Sequence, residues 1–334
     1  MSFKLTVSQK RLTLRYLAAG FVGIAVSSFG FFELDIHYSA KIPIYGFLLG
    51  YGAAFIELII IRKLESHKIW LNIAYRLLFH TSLLIIVHFY TTLAFEGFGW
   101  YDLNEARYNI LTVFGRSFFI ITFIILFLRI EAIIGVGFVQ KILIGYYRRP
   151  KREYRYFFFA DLNDSTGLGE RLGDVKYYAL LNKFFKDMSR PIFQSGGVIY
   201  KYVGDEIIIT WKKKRDQNVA DLALNLYFEF KKTLKEHEQA YIKEFGECPT
   251  FKSGLHCGMV VTAQVGDLKK EIAYNGDVVN TAARLVAWCK DFNKGLLVSE
   301  RVYENLVEKP PKALEICDLV LEGKQNSINV FGFD

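Results

Sequence analysis

Residues 154–161 read Tyr-Arg-Tyr-Phe-Phe-Phe-Ala-Asp, a run of aromatic side chains that closes on a carboxylate. So many consecutive apolar residues predict a buried β-strand over Tyr154–Ala160, because a half-exposed strand would alternate polar and apolar side chains. The next stretch, Gly169–Ser189, has its apolar residues at helical spacing. A buried strand followed by an amphipathic helix is therefore expected here, with Asp161 at the end of the strand.

Two short β-rich runs on either side of Gly204 and Asp205 predict a hairpin with an acidic side chain at its tip. A long amphipathic helix, a second strand pair, a third helix and two closing strands are predicted to follow. The order β-α-β-β-α-β is that of the ferredoxin-like α+β fold, in which we expect the helices to pack on one face of the sheet. The predicted segments after the first helix are Gly197–Tyr202, Glu206–Trp211, Val219–Tyr241, Phe251–Cys257, Val260–Gly266, Val278–Lys290, Leu296–Val298 and Ser327–Phe331.

The part of the chain before these elements has a different composition. The 334 residues are 52% hydrophobic with a mean hydropathy of +0.19, which is high for a chain with 23% charged residues. The apolar residues concentrate in four stretches of about 20 residues, the length that crosses a bilayer as a helix. We therefore predict a four-helix transmembrane domain over 1–130, a cytoplasmic linker helix over 131–150 that ends at Pro150, and a second domain over 151–334. The four spans are about 14–32, 43–61, 73–95 and 110–130.

Charge in the predicted loops sets the orientation in the membrane. The loops before the first span, between spans two and three, and after span four are basic, whereas the other two are acidic or balanced. The positive-inside rule then places both termini in the cytoplasm, and we expect a multi-pass protein of the cell (inner) membrane in contact with the lipid bilayer. Residues 1–147 carry 13 basic and 8 acidic side chains and residues 148–334 carry 29 and 26, so no nucleic-acid partner is expected. Thirty Phe and 20 Tyr exclude a disordered chain, and four Cys without zinc spacing indicate reduced thiols.

Some polar side chains fall inside the predicted spans, and the ones of interest are Glu57, Arg76, His80, His88 and Arg116. Intramembrane charges are candidate ligand or signal sites, but snorkelling and a structural Glu57–Arg76 ion pair explain them as well. The two histidines lie on roughly one side of the third span, yet no second helix offers a matching pair for haem. Four spans exceed what anchoring needs, so sensing of a lipid or another apolar ligand stays open beside anchoring with dimerisation.

Asp161 and Asp205 together suggest a metal site. Mg²⁺ takes oxygen ligands, keeps several waters and completes its coordination from substrate phosphates. Two such ions can activate an attacking hydroxyl and hold a leaving pyrophosphate. Each aspartate alone is weak evidence, since Gly-Asp pairs are common in hairpin turns.

Three motifs in this region occur together and in order. They resemble those of the class III nucleotide cyclases, the adenylate and guanylate cyclase catalytic domain family, over about Tyr154–Phe333. The resemblance implies an α+β ferredoxin-like catalytic domain that works as a homodimer with two Mg²⁺ or Mn²⁺ ions per site, and it says nothing about the membrane half. The motifs are Phe159-Ala160-Asp161-Leu162 with Ser165-Thr166 behind it, Lys201-Tyr202-Val203-Gly204-Asp205, and Asn275-Gly276-Asp277-Val278-Val279-Asn280-Thr281-Ala282-Ala283-Arg284.

The resemblance implies roles for the residues around the metals. Asp161 and Asp205 would bind both ions, with the Leu162 carbonyl as a further ligand, and Lys252 would contact the triphosphate. In the family, one chain supplies the two metal aspartates and its partner supplies the residues that bind the base and ribose and stabilise the transition state.

The remaining roles fall on three residues. By resemblance, Lys201 would read the adenine edge, Asn280 would orient the ribose, and Arg284 would stabilise charge on the attacked phosphate. Asn280 and Arg284 are four residues apart, so one face of a helix carries both. A guanidinium aimed at developing phosphate charge is the preorganised stabilisation that the reaction needs.

Several positions depart from the family pattern. Ala273 stands where many adenylate cyclases carry Asp, Thr or Ser, and its methyl group cannot accept a hydrogen bond from the purine, so base reading falls to Lys201 and backbone groups. Guanylate cyclases usually carry Glu where Lys201 stands, which favours ATP as the substrate. Glu322 replaces a common basic phosphate contact that Lys324 would supply instead. Asp164 replaces a frequent glycine, and nothing in the sequence accounts for it.

These observations predict a membrane-bound adenylate cyclase that converts ATP to 3′,5′-cyclic AMP and pyrophosphate. The alternatives are a guanylate or mixed-specificity cyclase and a non-catalytic membrane sensor or scaffold with a degenerate cyclase domain. A diguanylate cyclase is disfavoured because Val203-Gly204-Asp205-Glu206-Ile207 lacks the first Gly and the Phe of that signature and leaves Asn280 and Arg284 unexplained. A transporter or channel is disfavoured because the spans carry few charges.

Overall fold

The chain divides into two compact units, one made mainly of Gln9–Val139 and the other mainly of Gln140–Asp334. Each is described by itself. The computed structural model describes residues 15–25, 41–56, 75, 78–87, 89–90, 123, 127, 130, 141–142, 145–213, 217–268, 270–307, 309–310, 313–320 and 327–334.

The first unit contains helices over residues 15–25, Lys41–Phe55 and 78–87. The first two pack closely, because a side chain at Gly23 or Gly50 would overlap the backbone of the facing helix. None of the helices described is long and apolar enough to cross a membrane.

The four predicted spans and the membrane location stay predictions. Glu57, Arg76, His88 and Arg116 lie outside the described residues. His80 lies in the helix over 78–87 and is buried.

The predicted linker helix does not continue to Pro150, and that part of the prediction is wrong. Residues 145–149 form turns, with Gly145 at a φ of 63°. The Tyr146 N–H donates to the Lys141 carbonyl at 2.8 Å, which is the six-to-one bond of a glycine-terminated helix end. Glycine reaches this left-handed conformation without steric cost, so the helical backbone ends before the proline. Residues 131–140 lie outside the described residues.

The second unit is a mixed α/β structure of eight strands and five helices in its described part. The strands are β1 (Lys151–Leu162), β2 (Val198–Val203), β3 (Glu206–Lys212), β4 (Phe251–Val265), β5 (Glu271–Asn275), β6 (Leu296–Ser299), β7 (Leu314–Val320) and β8 (Ser327–Phe333). The helices are α1 (Ser165–Leu172), α2 (Asp174–Ser195), α3 (Val219–Phe245), α4 (Asp277–Trp288) and α5 (Glu300–Tyr303).

All eight strands form one sheet in the order β2-β3-β1-β4-β6-β8-β7, with β5 paired to β4. The first four strands are antiparallel neighbours, and helices connect β1 to β2 and β3 to β4. This is the ferredoxin-like arrangement, so the predicted α+β fold is confirmed for the second unit.

The helices cover both faces of the sheet, which corrects the expectation of one covered face. Tyr156, Phe158 and Ala160 pack against α2 and α3, whereas Phe157 and Phe159 pack beneath α4. Alternate residues of a strand point to opposite faces, so an uninterrupted apolar β1 needs cover on both sides.

β4 is one strand of 15 residues rather than the predicted pair of strands. Gly258 lies in the middle of this strand and not in a turn. A side chain at this position would meet Val278 of α4 at 2.8 Å. The glycine lets the helix approach the sheet. β5 and β7 were not predicted, and the predicted first helix is divided at Gly173 into α1 and α2.

Candidate active site

Asp161 is positioned by the pairing of its own strand. It lies opposite Lys252 of β4 in the antiparallel register, and the Lys252 ammonium nitrogen is 2.9 Å from the Asp161 carboxylate. Strand alternation puts Asp161 on the same face as Phe157 and Phe159. Both charged side chains are 24% exposed, so the pair is accessible from solvent.

The β2–β3 hairpin brings Asp205 to Asp161. Gly204, at a φ of 60°, takes the left-handed conformation of the tight turn, and β3 runs beside β1. Burial raises the pKa of Asp161, and the neighbouring Asp205 carboxylate raises it further, while the Lys252 ammonium opposes both effects. The two predicted metal aspartates are therefore neighbours within one chain.

Glu206 is a third acidic side chain at this position, and the sequence analysis did not assign it to the site. Burial raises its pKa to about 7, and the nearby Asp161 and Asp205 carboxylates contribute in the same direction. Its place directly after Asp205, at the start of the buried strand β3, was the available signal. The carboxyl groups of Asp161, Asp205 and Glu206 place negative charge close together, and a bound cation would neutralise it.

The donor set fits a hard divalent cation such as Mg²⁺ or Mn²⁺. Within the described ranges, no group of three or more His, Cys, Asp or Glu side chains is arranged to hold a metal ion. A pair of aspartates still suits Mg²⁺, which commonly takes one or two carboxylates and leaves its other positions to phosphates and water. Leu162 is buried at the end of β1, and the role of its carbonyl stays a prediction.

The loop between β1 and α1 explains the unexpected Asp164. Its φ is 52°, a left-handed conformation that glycine adopts most easily, and this accounts for a glycine being common there. The Arg171 guanidinium donates to the Asp164 carboxylate at 2.9 Å and to Glu247 at 2.9 Å. A side chain at Gly167 would lie 2.5 Å from the same carboxylate, so Asp164 and Gly167 fit each other.

Lys201 lies on β2 near the start of β5. Its ammonium nitrogen is 3.2 Å from a carboxylate oxygen of Glu271, a residue that the sequence analysis did not single out. Ala273 is two residues further along β5, so its side chain shares a strand face with that of Glu271. The two predicted base-contact residues, Lys201 and Ala273, are therefore close in the structure, because Lys201 contacts Glu271 and Glu271 shares a strand face with Ala273.

α4 carries Asn280 and Arg284 and crosses directly over β4. A side chain at Gly254 would lie 2.5 Å from the Ala282 carbonyl oxygen, so the contact requires glycine. Asn280 is exposed and lies about 200° around the helix from buried Ala282. Its side chain thus points away from the sheet face that carries Asp161.

An open cleft lies beside Lys252 and is rich in lysine and asparagine. It would present positive charge to an anionic group, which suits the predicted phosphate contact, although in this structure the Lys252 ammonium is paired with Asp161. The predicted contact at Lys324, like Glu322, lies outside the described residues. The cleft is lined by Asn163, Asp164, Lys252, Cys289, Lys290, Asn293, Lys294 and Gly295.

A buried charge network lies at the other end of β1. The Glu153 carboxylate accepts hydrogen bonds from Arg155 at 2.8 Å, Lys212 at 2.7 Å and Thr262 at 3.2 Å. Arg155 also donates to the Tyr147 hydroxyl at 3.3 Å. The network ties β1, β3 and β4 to the segment that precedes the sheet.

The Arg155 guanidinium carbon also lies 4.5 Å from the centre of the Tyr274 ring, which belongs to β5. That ring is 4.7 Å from the ring of Tyr200, the neighbour of Lys201. Buried contacts therefore connect the start of β1 to the strands that carry Lys201 and Ala273.

The model of the adenylate and guanylate cyclase catalytic domain matches residues 152–331, which is more than half of the chain. The chain belongs to this family. The chain is 38% identical to adenylate cyclase 2 of Rhizobium meliloti (strain 1021) over 197 residues, which are 59% of this chain and 53% of that protein. It is 26% identical to the adenylate cyclase of Anabaena cylindrica over 180 residues, 52% of this chain and 35% of that protein.

The chain thus spans about half the length, or less, of these curated relatives. Among solved structures it resembles a bacterial light-regulated adenylyl cyclase, with a TM-score of 0.52 and 20% identity over 71% of this chain and 66% of that chain. At this identity the likeness supports the fold alone. The family membership disfavours the diguanylate cyclase alternative.

Proposed function

We propose that this cyclase converts ATP to 3′,5′-cyclic AMP and pyrophosphate. The observation that carries the proposal is the meeting of Asp161 and Asp205 at one end of the sheet in a chain of the cyclase family. The relatives named adenylate cyclase support ATP as the substrate. Guanylate or mixed-specificity activity is the second candidate, because Ala273 provides no side-chain acceptor for the adenine amino group.

In this proposal two Mg²⁺ or Mn²⁺ ions per site would be held by Asp161, Asp205 and the Leu162 carbonyl. The ions would supply activation of the attacking hydroxyl and stabilisation of the leaving pyrophosphate. Before a cation enters, Lys252 neutralises Asp161 across 2.9 Å. With a cation held by the aspartates, Lys252 would be available to donate a hydrogen bond to an oxygen of the triphosphate.

The other residues position the nucleotide and stabilise charge. Asn280 orients the ribose so that its 3′-hydroxyl faces the α-phosphorus, which is attacked as the bond to the pyrophosphate breaks. Arg284 donates hydrogen bonds to the equatorial oxygens, where negative charge develops. A fixed guanidinium is effective there because it needs no reorganisation during the reaction.

The proposal is tested by incubating the purified full-length protein with ATP or GTP and identifying the products by chromatography. Asp161→Ala and Asp205→Ala are expected to abolish nearly all turnover while the fold persists, because each removes a metal ligand. Asp291→Asn, an exposed aspartate beyond α4, is the matched control. Undiminished cyclic AMP from either alanine variant refutes the metal assignment, and a preference for GTP refutes the substrate assignment. A stably folded wild type without any product would favour the non-catalytic sensor or scaffold.

We further propose that the active form is a homodimer with sites shared between chains. Asn280 points away from the sheet face that carries Asp161, so a second chain is a natural source of the ribose and transition-state residues. A twofold axis would then create two equivalent sites. Asp161→Ala and Arg284→Ala are each expected to be inactive alone, and their mixture is expected to recover about a quarter of wild-type activity, because half of the dimers are mixed and each keeps one intact site. No recovery, with mixing shown by pull-down, would place the site within a single chain.

The N-terminal half is proposed to anchor the enzyme in the cell (inner) membrane with both termini and the catalytic domain in the cytoplasm. The support is the four apolar stretches and the alternation of basic loops. Sensing of a lipid or another apolar ligand by this half is the further possibility, beside anchoring and dimerisation. The test compares the full-length protein in vesicles of several lipid compositions with a variant that lacks residues 1–130. Equal activity of both in every composition would remove the support for sensing.

A further inference from the structure

The purine site that the family resemblance implies lacks a side-chain acceptor at Ala273, which carries only a methyl group. The structure provides an acceptor close by. Glu271 lies two residues before Ala273 on β5, and residues two apart on a strand share a face. A carboxylate oxygen of Glu271 is 3.2 Å from the Lys201 ammonium nitrogen.

β5 is held in a defined position by its buried side. Tyr274 points to the face opposite Ala273, and its ring contacts Tyr200 at 4.7 Å and the Arg155 guanidinium at 4.5 Å. Tyr200 directly precedes Lys201 at a bulge in β2. One set of buried contacts therefore fixes both the strand with Glu271 and the strand with Lys201.

We propose that Glu271 and Lys201 together read the purine base, and that Glu271 takes the role that Ala273 cannot fill. The inference rests on the proposed cyclase function. Lysine only donates hydrogen bonds and an ionised carboxylate only accepts them. Adenine matches this pair, since its ring N1 accepts and its exocyclic amino group donates.

The same pair rejects guanine held in the same orientation. Guanine carries the oxygen O6 where adenine has its amino group, and a protonated N1 where adenine has an acceptor. O6 would then face the Glu271 carboxylate, and the N1–H would face the Lys201 ammonium. Specificity comes from these two unfavourable contacts as well as from the favourable ones.

A surface ion pair without a role in binding is the competing explanation. Lys201 is 45% exposed and Glu271 39% exposed, and exposed pairs contribute little to stability. Loss of Glu271 should therefore leave the melting temperature unchanged under both explanations. Nucleotide selectivity is the property that separates them.

The experiment measures kcat and KM of the full-length protein for ATP and for GTP, together with inhibition by pyrophosphate, which has no base. In Glu271→Ala, the ATP-over-GTP ratio of kcat/KM is expected to fall about tenfold or more, as expected when a base-reading hydrogen bond is lost. Pyrophosphate inhibition is expected to stay at the wild-type value. Glu271→Gln keeps an oxygen acceptor but can also present its amide N–H to O6, so it should show an intermediate ratio through better use of GTP. Glu229→Ala, an exposed glutamate of α3, is the matched control.

Binding of fluorescent ATP and GTP analogues gives the same comparison without turnover. An unchanged ATP-over-GTP ratio in Glu271→Ala, in both kinetics and binding, overturns the inference. A parallel weakening of pyrophosphate inhibition also overturns it, because that result indicates general damage to the site. A wild type that binds both analogues but forms no cyclic nucleotide refutes the proposed function instead, and the binding ratio then still tests Glu271.

Discussion

Replacing Glu153 by alanine should expose how much the second unit depends on its buried charge network. The side chains of Glu153 and Arg155 are 2% and 4% exposed and form an ion pair at 2.8 Å. Without the carboxylate, the Arg155 guanidinium stays in the interior with the Tyr147 hydroxyl and the Tyr274 ring. Removing one partner of a buried ion pair costs about 3–5 kcal/mol, because the other charge is left uncompensated.

The expected change in melting temperature follows from the size of the unit. For a domain of roughly 150–250 residues, 1 kcal/mol shifts the midpoint by about 2–4 °C, so Glu153→Ala should lower it by about 6–20 °C. The double variant Glu153→Ala/Arg155→Met should recover most of the lost melting temperature, because replacing both partners by apolar residues leaves no unpaired buried charge at this pair. Arg171→Ala is the control, because Arg171 is 49% exposed in its ion pairs and such pairs are worth about 1 kcal/mol or less.

Two buried cysteines give an assay that is specific for the second unit. Cys257 and Cys289 are 0% and 1% exposed, so their thiols react with a maleimide only when the unit opens. The full-length protein is heated in steps, labelled briefly and analysed by mass spectrometry at each cysteine. The reasoning is refuted if Cys257 in Glu153→Ala becomes reactive at the wild-type temperature, or if the double variant is as unstable as Glu153→Ala.

Three further predictions use the same thiol assay, except that in the pH series the maleimide is replaced by 4,4′-dithiodipyridine, a disulfide reagent that labels thiols at acidic pH. Burial raises the pKa of Glu153, but Lys212 and Arg155 outweigh this effect and hold the pKa below the ordinary 4.5. The stability that the carboxylate contributes is therefore complete above that pH and is lost as the pH falls through the folded-state pKa. The difference in melting temperature between wild type and Glu153→Gln should accordingly close below about pH 4.5. A constant gap down to pH 3 would contradict this. Gly254→Ala places a methyl group 2.5 Å from the Ala282 carbonyl, so it should lower the free energy of unfolding by about 1–3 kcal/mol and lower kcat by displacing α4. A wild-type melting temperature in this variant would show that α4 does not contact β4 there. The free energy of unfolding of Asp164→Gly should stay within about 1 kcal/mol of wild type, because glycine adopts a φ of 52° easily and only an exposed ion pair is lost. Asp164→Val should be clearly less stable. Equal stability of the two variants would argue against the left-handed loop.

Much of the fold followed from local patterns. The buried strand after Tyr154, the hairpin around Gly204 and the helix that carries Arg284 were all predicted, because each depends on periodicity or turn chemistry within a short window. The single long β4 was missed because Gly258 resembles a turn glycine in isolation. Its reason is the close approach of α4, which lies in another part of the chain.

The candidate site divides in the same way. Asp161 and Asp205 could be chosen from sequence because a carboxylate at a strand end or hairpin tip is visible locally, and the motif resemblance added Lys201, Asn280 and Arg284. Glu206 was missed because its neighbourhood of carboxylates forms only when β3 lies beside β1.

The sequence by itself determined the order of the elements, the uneven distribution of apolar residues, and which chemical groups the chain carries. These properties depend on neighbours along the chain. The tertiary structure alone decided which groups meet: Lys252 with Asp161, Glu271 with Lys201, and Glu153 with Arg155, Lys212 and Thr262. The first two pairs are 91 and 70 residues apart in the numbering, and their contact depends on strand register and sheet order, which are properties of the packed sheet rather than of any local stretch.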